Sequence, residues 1–294
     1  MGGAEALVCG FTIANGNANG SVSPENSGGG ALIDGASLTF QLCSFEDNSA
    51  DYIGGAVALL GNGTCTAQNC HFTGNHAHAI GPGGYGGGGV MNWDGSLYLT
   101  NCLFASNSTA NNGAAIYDHG GTATLVNCTL ADNDAVDRGS AIMQLAASSV
   151  TLVNTIVWDN VDVADQIWAE AGATTTASYC CVEGGFVGDG NIDGDPLFVG
   201  IGSEAYAIGS LASPVIDRGN TNEVGCVFVD LAHHPRVVDT VLVADAGAES
   251  MGVTVDIGAY EFDYAVHCRV DINVDGIVDV ADLLILIGFW GMCD

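Results

Sequence analysis

The chain has 294 residues, no lysine and four arginines against 34 acidic residues, giving a formal net charge of −30. A surface of that sign repels nucleic acid, anionic membranes and polyanionic glycans and attracts cations, so a nucleic-acid-binding role is excluded. No apolar run approaches the ~20 residues that a membrane-spanning helix needs; the longest, Leu283 to Trp290, has eight, and no membrane insertion is expected.

Met1 to Glu5 carry neither the basic start nor the apolar stretch of a secretion leader. The chain opens instead inside a strand-like phrase, Ala6 to Ile13, which reads as a truncated first coil of a repeat. One phrase then recurs as Leu42-Cys43-Ser44-Phe45, Asn69-Cys70-His71-Phe72, Asn101-Cys102-Leu103-Phe104, Asn127-Cys128-Thr129-Leu130 and Asn154-Thr155-Ile156-Val157. Phe45, Phe72, Phe104, Leu130 and Val157 stand at steps of 27, 32, 26 and 27. A second landmark, a small-residue pair before an aliphatic, recurs at Leu32, Val57, Val90, Ile116, Ile142 and Ile167 with steps of 25, 33, 26, 26 and 25. Two landmarks that slip together, with the long step in the same copy, define a solenoid.

Within each copy, segments such as Ser96 to Thr100 and Ala123 to Val126 are short, alternating and rich in strand-favouring residues, and Gly and Asn interrupt any helical period. About 26 residues with two or three such strands make one turn of a parallel β-helix, whose turns stack at roughly 4.8 Å. Aligned side chains then fall on one another. Asn48, Asn75, Asn107, Asn133 and Asn160 are expected to form a ladder at one corner, where asparagine tolerates a left-handed backbone and its amide bonds the copies above and below. Cys43, Cys70, Cys102 and Cys128 fall two residues before the aligned apolar residue, hence in an internal column of unpaired thiols.

The long step is filled by His76 to Gly87, which reads as a loop extruded from one corner. With His71 nearby, three histidines in eight residues, His71, His76 and His78, could hold a transition metal or simply be solvated. Aligned on Val90, Ile116, Ile142 and Ile167, the next residues are Met91, Tyr117, Met143 and Trp168, followed by Asn92, Asp118 and Gln144 and then by Trp93, His119 and Leu145. If the aliphatics point inward, the first four form an outward apolar ribbon. Trp93, Tyr117, Asp118, His119 and Trp168 are therefore the candidate sugar-contact residues. The competing reading is a hydrophobic strip that the cap covers or that faces inward.

From about residue 186 the repeat decays, and 186–263 reads as an irregular final coil and cap covering the open end of coils 1–185. The Asn-Cys-x-Phe and Gly-Gly-Ala-Val phrases resemble those of bacterial surface proteins with right-handed parallel β-helix repeats, including the polymorphic outer-membrane protein type. Asp195-Pro196-Leu197-Phe198, Ser213-Pro214-Val215-Ile216-Asp217 and Asp256-Ile257-Gly258-Ala259-Tyr260-Glu261 are similar to the usual end of such β-helices. The resemblance implies an all-β, right-handed parallel β-helix solenoid and a surface location. That architecture also carries lyases and hydrolases, so it implies no single activity.

Residues 264–294 have a different character. Asp271, Asn273, Asp275, Asp279 and Asp282 hold positions 1, 3, 5, 9 and 12 of a loop with Gly276 at position 6, and the Ile277 carbonyl adds a ligand. Convergent oxygens around a glycine bend are a Ca²⁺ loop, and Leu283 to Ile287 reads as the short helix that follows. Asp282 at the last position resembles a dockerin; dockerins carry two such loops and one is present, so calcium binding carries over while a cohesin-like partner stays open. Cys268 and Cys293 bracket the segment and read as a disulfide, which implies an oxidising compartment and hence an extracellular or cell-surface location.

Pectin-cleaving β-helix enzymes need basic residues that this chain almost lacks, and no pair of acids stands out as the two flanking carboxylates of a glycosidase. The sequence therefore points to adhesion or glycan contact with a calcium-bound tail. A polysaccharide lyase or glycoside hydrolase of the β-helix type is the alternative.

Overall fold

The computed structural model describes residues 5–79, 85–161, 166–200, 204–225, 228–238, 240, 243–250 and 253–262. The expected calcium loop, its helix and Cys268 and Cys293 all lie outside the described residues.

A representative coil contains four strands rather than two or three: Ser96–Thr100, Leu103–Ala105, Ser108–Thr109 and Ile116–His119. Each pairs in parallel with its counterpart one coil on, which builds four parallel sheets of seven, seven, five and six strands. We number the sheets one to four in the order the chain visits them. Sheet-one strands alternate inward and outward, with Leu97 and Leu99 buried and Tyr98 exposed. Inward residues of sheets one, two and four meet in a single core containing Leu97, Leu99, Phe104, Val90 and Ile116.

The aligned aromatic position stacks as sequence alignment predicts. Phe45 and Phe72 lie with ring centroids 4.9 Å apart and Phe72 and Phe104 4.4 Å apart, both nearly parallel. Leu130, Val157 and Val182 continue the column. The second landmark needs one correction: Ala31, not Leu32, pairs with Val57, so Leu32 faces outward and Ile33 is buried.

Among the described residues the corners are turned by left-handed residues. Between sheets three and four these are glycines: Gly28, Gly54, Gly87, Gly113 and Gly139 have φ between 61° and 77°, a conformation open to glycine without a steric cost. Between sheets two and three it is Asp47, Gly74, Ser106, Asp132 and Asp159. The ladder asparagines follow these residues, so the expectation that they themselves adopt the left-handed backbone is wrong. A second asparagine column, Asn69, Asn101, Asn127 and Asn154, does so at the corner between sheets one and two, with φ of 48–52°.

The ladder itself forms. Asn48 donates to Asn75 at 3.0 Å, Asn75 to Asn107 at 2.9 Å, Asn107 to Asn133 at 3.0 Å and Asn133 to Asn160 at 2.8 Å, all side chain to side chain. Cys43, Cys70, Cys102 and Cys128 are buried and unpaired. Cys180 extends their column beyond Thr155, and each member donates to the carbonyl two residues before it.

The terminal segment divides into two parts. The Cys181–Ile192 bridge and Phe186 close the end of the core. The chain then runs back along the outer face of sheet two, where Leu231, Ala259 and Tyr260 pack on Leu103 and Ala105, and Val215, Ile257 and Phe262 pack near Ile156. Corner asparagines fasten this flank: Asn69 donates to the Asp230 carbonyl, Asn101 to that of Val229 and Asn154 to that of Asn220. The segment expected as final coil and cap thus closes the end of the stack and also covers a side face, because sheet two presents apolar residues outward as well as inward.

The flank has almost no regular structure, and buried carboxylates satisfy its backbone N–H groups. Asp256 accepts from Asp217 and Phe262, Asp230 from His234 and Glu261, and Glu261 from Asp256. Arg236 is fully buried among them, donating to the Asp256 carbonyl at 3.0 Å with Glu261 3.5 Å away.

Candidate functional site

The four proposed ribbon residues do point out of the core, since Val90, Ile116 and Ile142 point into it. They are nevertheless not an exposed ribbon: Met91, Tyr117 and Met143 are buried, and only Trp168 is half-exposed. A second hydrophobic layer of Ile53, Tyr52, Tyr85, Trp93 and Leu145 covers them. Tyr85 comes from the glycine run that reads as an extruded loop. Its latter half instead lies tight on the coils, for a Cβ on Gly86 would sit 2.0 Å from the Asn112 carbonyl oxygen and one on Gly88 2.4 Å from that of Ser108. Glycine there lets the backbone approach closely enough to set the tyrosine ring on the ribbon.

Asp118 also needs correction. It is fully buried and points into the turn between sheets four and one, as do Asn92 and Gln144. Asn92 donates to Asp118 Oδ1 at 3.0 Å, to the Gly95 carbonyl and to that of Thr122, while its own Oδ1 accepts from the Gly95 N–H. Burial raises the Asp118 carboxyl to about 7, against the opposing pull of its hydrogen bonds from the Gly121 backbone and Asn92. Strand alternation puts this residue on the opposite side from Tyr117 and His119. Asp118 is a buried corner residue and does not face a ligand.

What remains half-exposed on sheet four is an aromatic cluster. Trp93 and His119, one coil apart in register, stack at 4.4 Å with an interplanar angle of 23°. Tyr85 stands edge-on to Trp93 at 4.8 Å and to His119 at 5.6 Å, and Tyr52 stands edge-on to Tyr85 at 6.2 Å. Beyond the cluster, the Arg138 guanidinium lies over Trp168 at 5.0 Å. Among the described residues, Tyr117 Oη and His119 Nδ1 have no hydrogen-bond partner. Of the five predicted contact residues, Trp93, His119 and Trp168 are thus partly accessible, and Tyr117 and Asp118 are not. Tyr52 and Tyr85 were missed, because both come from outside the aligned repeat positions.

Sequence reasoning also missed an acidic cleft between the flank and the corner of sheets two and three. It encloses about 660 Å³ and is lined by Asp132, Asp159, Asp195, Phe198 and Tyr206 among others. Asp132 and Asp159 occupy the left-handed corner position of successive coils. The Tyr206 hydroxyl donates to Asp132 at 2.8 Å. Partial burial, then Glu183, Asp132 and Asp195, raise the Asp159 carboxyl. A second cleft of about 600 Å³ shares Asp159 and is lined by Gln166 and Glu183, which hydrogen-bond to each other. These acids were invisible as a group because Asp195 and Tyr206 reach the corner only through the flank.

Among the described residues no three His, Cys, Asp or Glu side chains converge as a metal site, and no helix is long and apolar enough to cross a membrane. Residues 55–190 match the family model described as a right handed beta helix region. None of the curated proteins matches the chain. The four parallel sheets together with that match make this a right-handed parallel β-helix repeat protein.

Proposed function

We propose that this chain is a secreted or cell-surface β-helix protein whose sheet-four aromatic cluster contacts neutral or cationic glycan. The observation that carries this reading is the Trp93–His119 stack with Tyr85 edge-on to both, half-exposed on a rigid sheet. Aromatic faces bind the apolar faces of sugars, and ring N–H and hydroxyl groups supply hydrogen bonds at their edges. The surface charge disfavours uronic-acid polymers. Titration of a glycan panel, followed by tryptophan fluorescence and scored for released product, tests the reading. Trp93→Ala and Tyr85→Ala are expected to remove binding without release of product in any variant; a panel with no ligand counts against the proposal.

A second reading, glycoside hydrolysis, is favoured by the acidic cleft. One carboxylate hydrogen-bonded by Tyr206 beside another pushed upward by burial and like charge is the environment that separates an acid from a base. Product release that disappears in Asp132→Asn and Asp159→Asn, while Trp93→Ala retains it, would select this reading.

The tail adds a calcium role. In this reading Asp271, Asn273, Asp275, Asp279, Asp282 and the Ile277 carbonyl hold one Ca²⁺, and a Cys268–Cys293 disulfide braces the segment. Calcium titration of the full chain is expected to lose its tightest site in Asp271→Ala. An unchanged isotherm would remove the loop from the proposal. The calcium loop leaves a cohesin-like partner as an outcome to be scored by pull-down rather than an assumption.

A further inference from the structure

The third sheet carries a feature that neither the glycan face nor the cleft uses. His76 and His78 lie on one side of their strand, and His76 Nε2 faces His78 Nδ1 at 3.2 Å with the rings at 79° to each other. Each outer nitrogen has its own serine: His76 Nδ1 lies 2.8 Å from Ser108 Oγ one coil on, and His78 Nε2 lies 3.3 Å from Ser49 Oγ one coil back. We propose that His76 and His78 together bind a divalent transition-metal cation of the zinc or copper type.

Three observations support it. First, in the tautomers where each outer N–H donates to its serine, the two inner nitrogens present lone pairs to one another, an arrangement that a shared cation relieves. Second, nitrogens 3.2 Å apart subtend about 100° at a cation roughly 2.0–2.1 Å from each, close to the tetrahedral angle. Third, the serines act as outer partners that fix tautomer and ring orientation, as ligating histidines require. Ala77 between the two histidines is buried, which anchors the strand and limits the freedom of both rings. Asp51 follows Ala50 as His78 follows Ala77 in the paired strands. Its carboxylate adds negative charge one coil away. Water completes the coordination, and imidazole nitrogen selects zinc or copper over calcium or magnesium.

The test is calorimetric titration of the full chain with Zn²⁺ at pH 7.5, in buffer saturated with calcium so that carboxylate sites are occupied. One zinc site is expected in the native chain. His78→Ala, which alters an exposed side chain, is expected to weaken it at least tenfold with an unchanged melting temperature. Ser108→Ala should weaken it by about tenfold through the lost outer partner, and His71→Ala should leave it unchanged. The proposal is overturned by an absence of zinc binding in the native chain, which would leave the two imidazoles sharing a proton. Zinc binding that survives His78→Ala, or that His71→Ala abolishes equally, also overturns it.

Discussion

Asn133 Oδ1 accepts two hydrogen bonds from Asn107, one from the side-chain amide at 3.0 Å and one from the backbone N–H at 3.1 Å. Asn107 in turn gives its second amide proton to the Phe72 carbonyl and accepts both donors of Asn75. Each rung therefore stitches a corner to the coil on either side, and removing one leaves several buried groups without partners. Since each such group costs about 1–3 kcal/mol, Asn107→Ala is expected to destabilise the coil stack by roughly 3 kcal/mol or more. Asn160, which ends the ladder on Gln166, should cost less when replaced. Urea unfolding of the two variants checks the difference; equal and small losses would mean that the rungs act independently of their neighbours.

The cysteine column makes a contrasting prediction. Thr155 occupies the same position and donates to the Val153 carbonyl at 2.9 Å, as Cys102 donates to that of Thr100 at 3.3 Å. Cys102→Thr is thus expected to fold, whereas Cys102→Asp buries a charge without a cation and should cost several kcal/mol. Burial raises the Cys102 and Cys180 thiols. Among the described cysteines only Cys9 is exposed, and it is expected to be the only one of them alkylated in the native chain. Mass mapping after brief iodoacetamide treatment reads this out, and labelling of Cys70 or Cys102 before unfolding would contradict it.

How much was legible follows from where a residue's neighbours come from. The Phe45–Phe72–Phe104 stack, the Asn48–Asn160 ladder and the Cys43–Cys128 column depend only on the residue one repeat away, so alignment of the chain with itself reveals them. The burial of Tyr117 does not, because its cover includes Tyr85, from a run inserted into one copy. Nor does the acidic cleft, where Tyr206 meets Asp132 across 74 residues. Alternation gave the right side for Met91 and Tyr117, but direction out of the core is not exposure when a second layer lies above. Cys180 was readable in principle: it stands two residues before Val182, as Cys102 does before Phe104, and its adjacency to Cys181 obscured the alignment.

The buried arginine supports a third prediction. Arg236 donates to the Asp256 carbonyl and stands 3.5 Å from Glu261, with neither side chain exposed. Removing it leaves Glu261 and Asp256 buried without their only close cation among the described residues. Breaking such a pair typically costs about 3–5 kcal/mol, so Arg236→Ala is expected to loosen the flank at neutral pH. Hydrogen exchange should then rise at Asp217, Asp256 and Phe262, whose N–H groups rest on these carboxylates, and remain slow in sheet one. Uniform exchange over both regions would mean that flank and coils unfold as one unit.

The last prediction concerns pH. Desolvation raises Asp118 and Asp256 to about 7 in the folded chain, above the ordinary carboxylate value of about 3.9 that they regain on unfolding. A carboxyl raised on folding binds its proton more tightly in the native state. Its contribution to stability is therefore full below the unfolded value and is lost as pH rises through the folded one. For these two groups the window runs from about pH 4 to about pH 7. The melting temperature should fall across that interval as far as they control it, opposite to the trend of a protein stabilised by ionised acids. Asp118→Asn isolates one of them, since its amide oxygen can still accept from Asn92 while the charge is gone. The variant is expected to melt higher than the native chain at pH 8, to match it near pH 4, and to show a shallower slope between. An identical slope in native and variant chains would show that Asp118 ionises in the folded coil without penalty, and that its burial is not what sets its proton affinity.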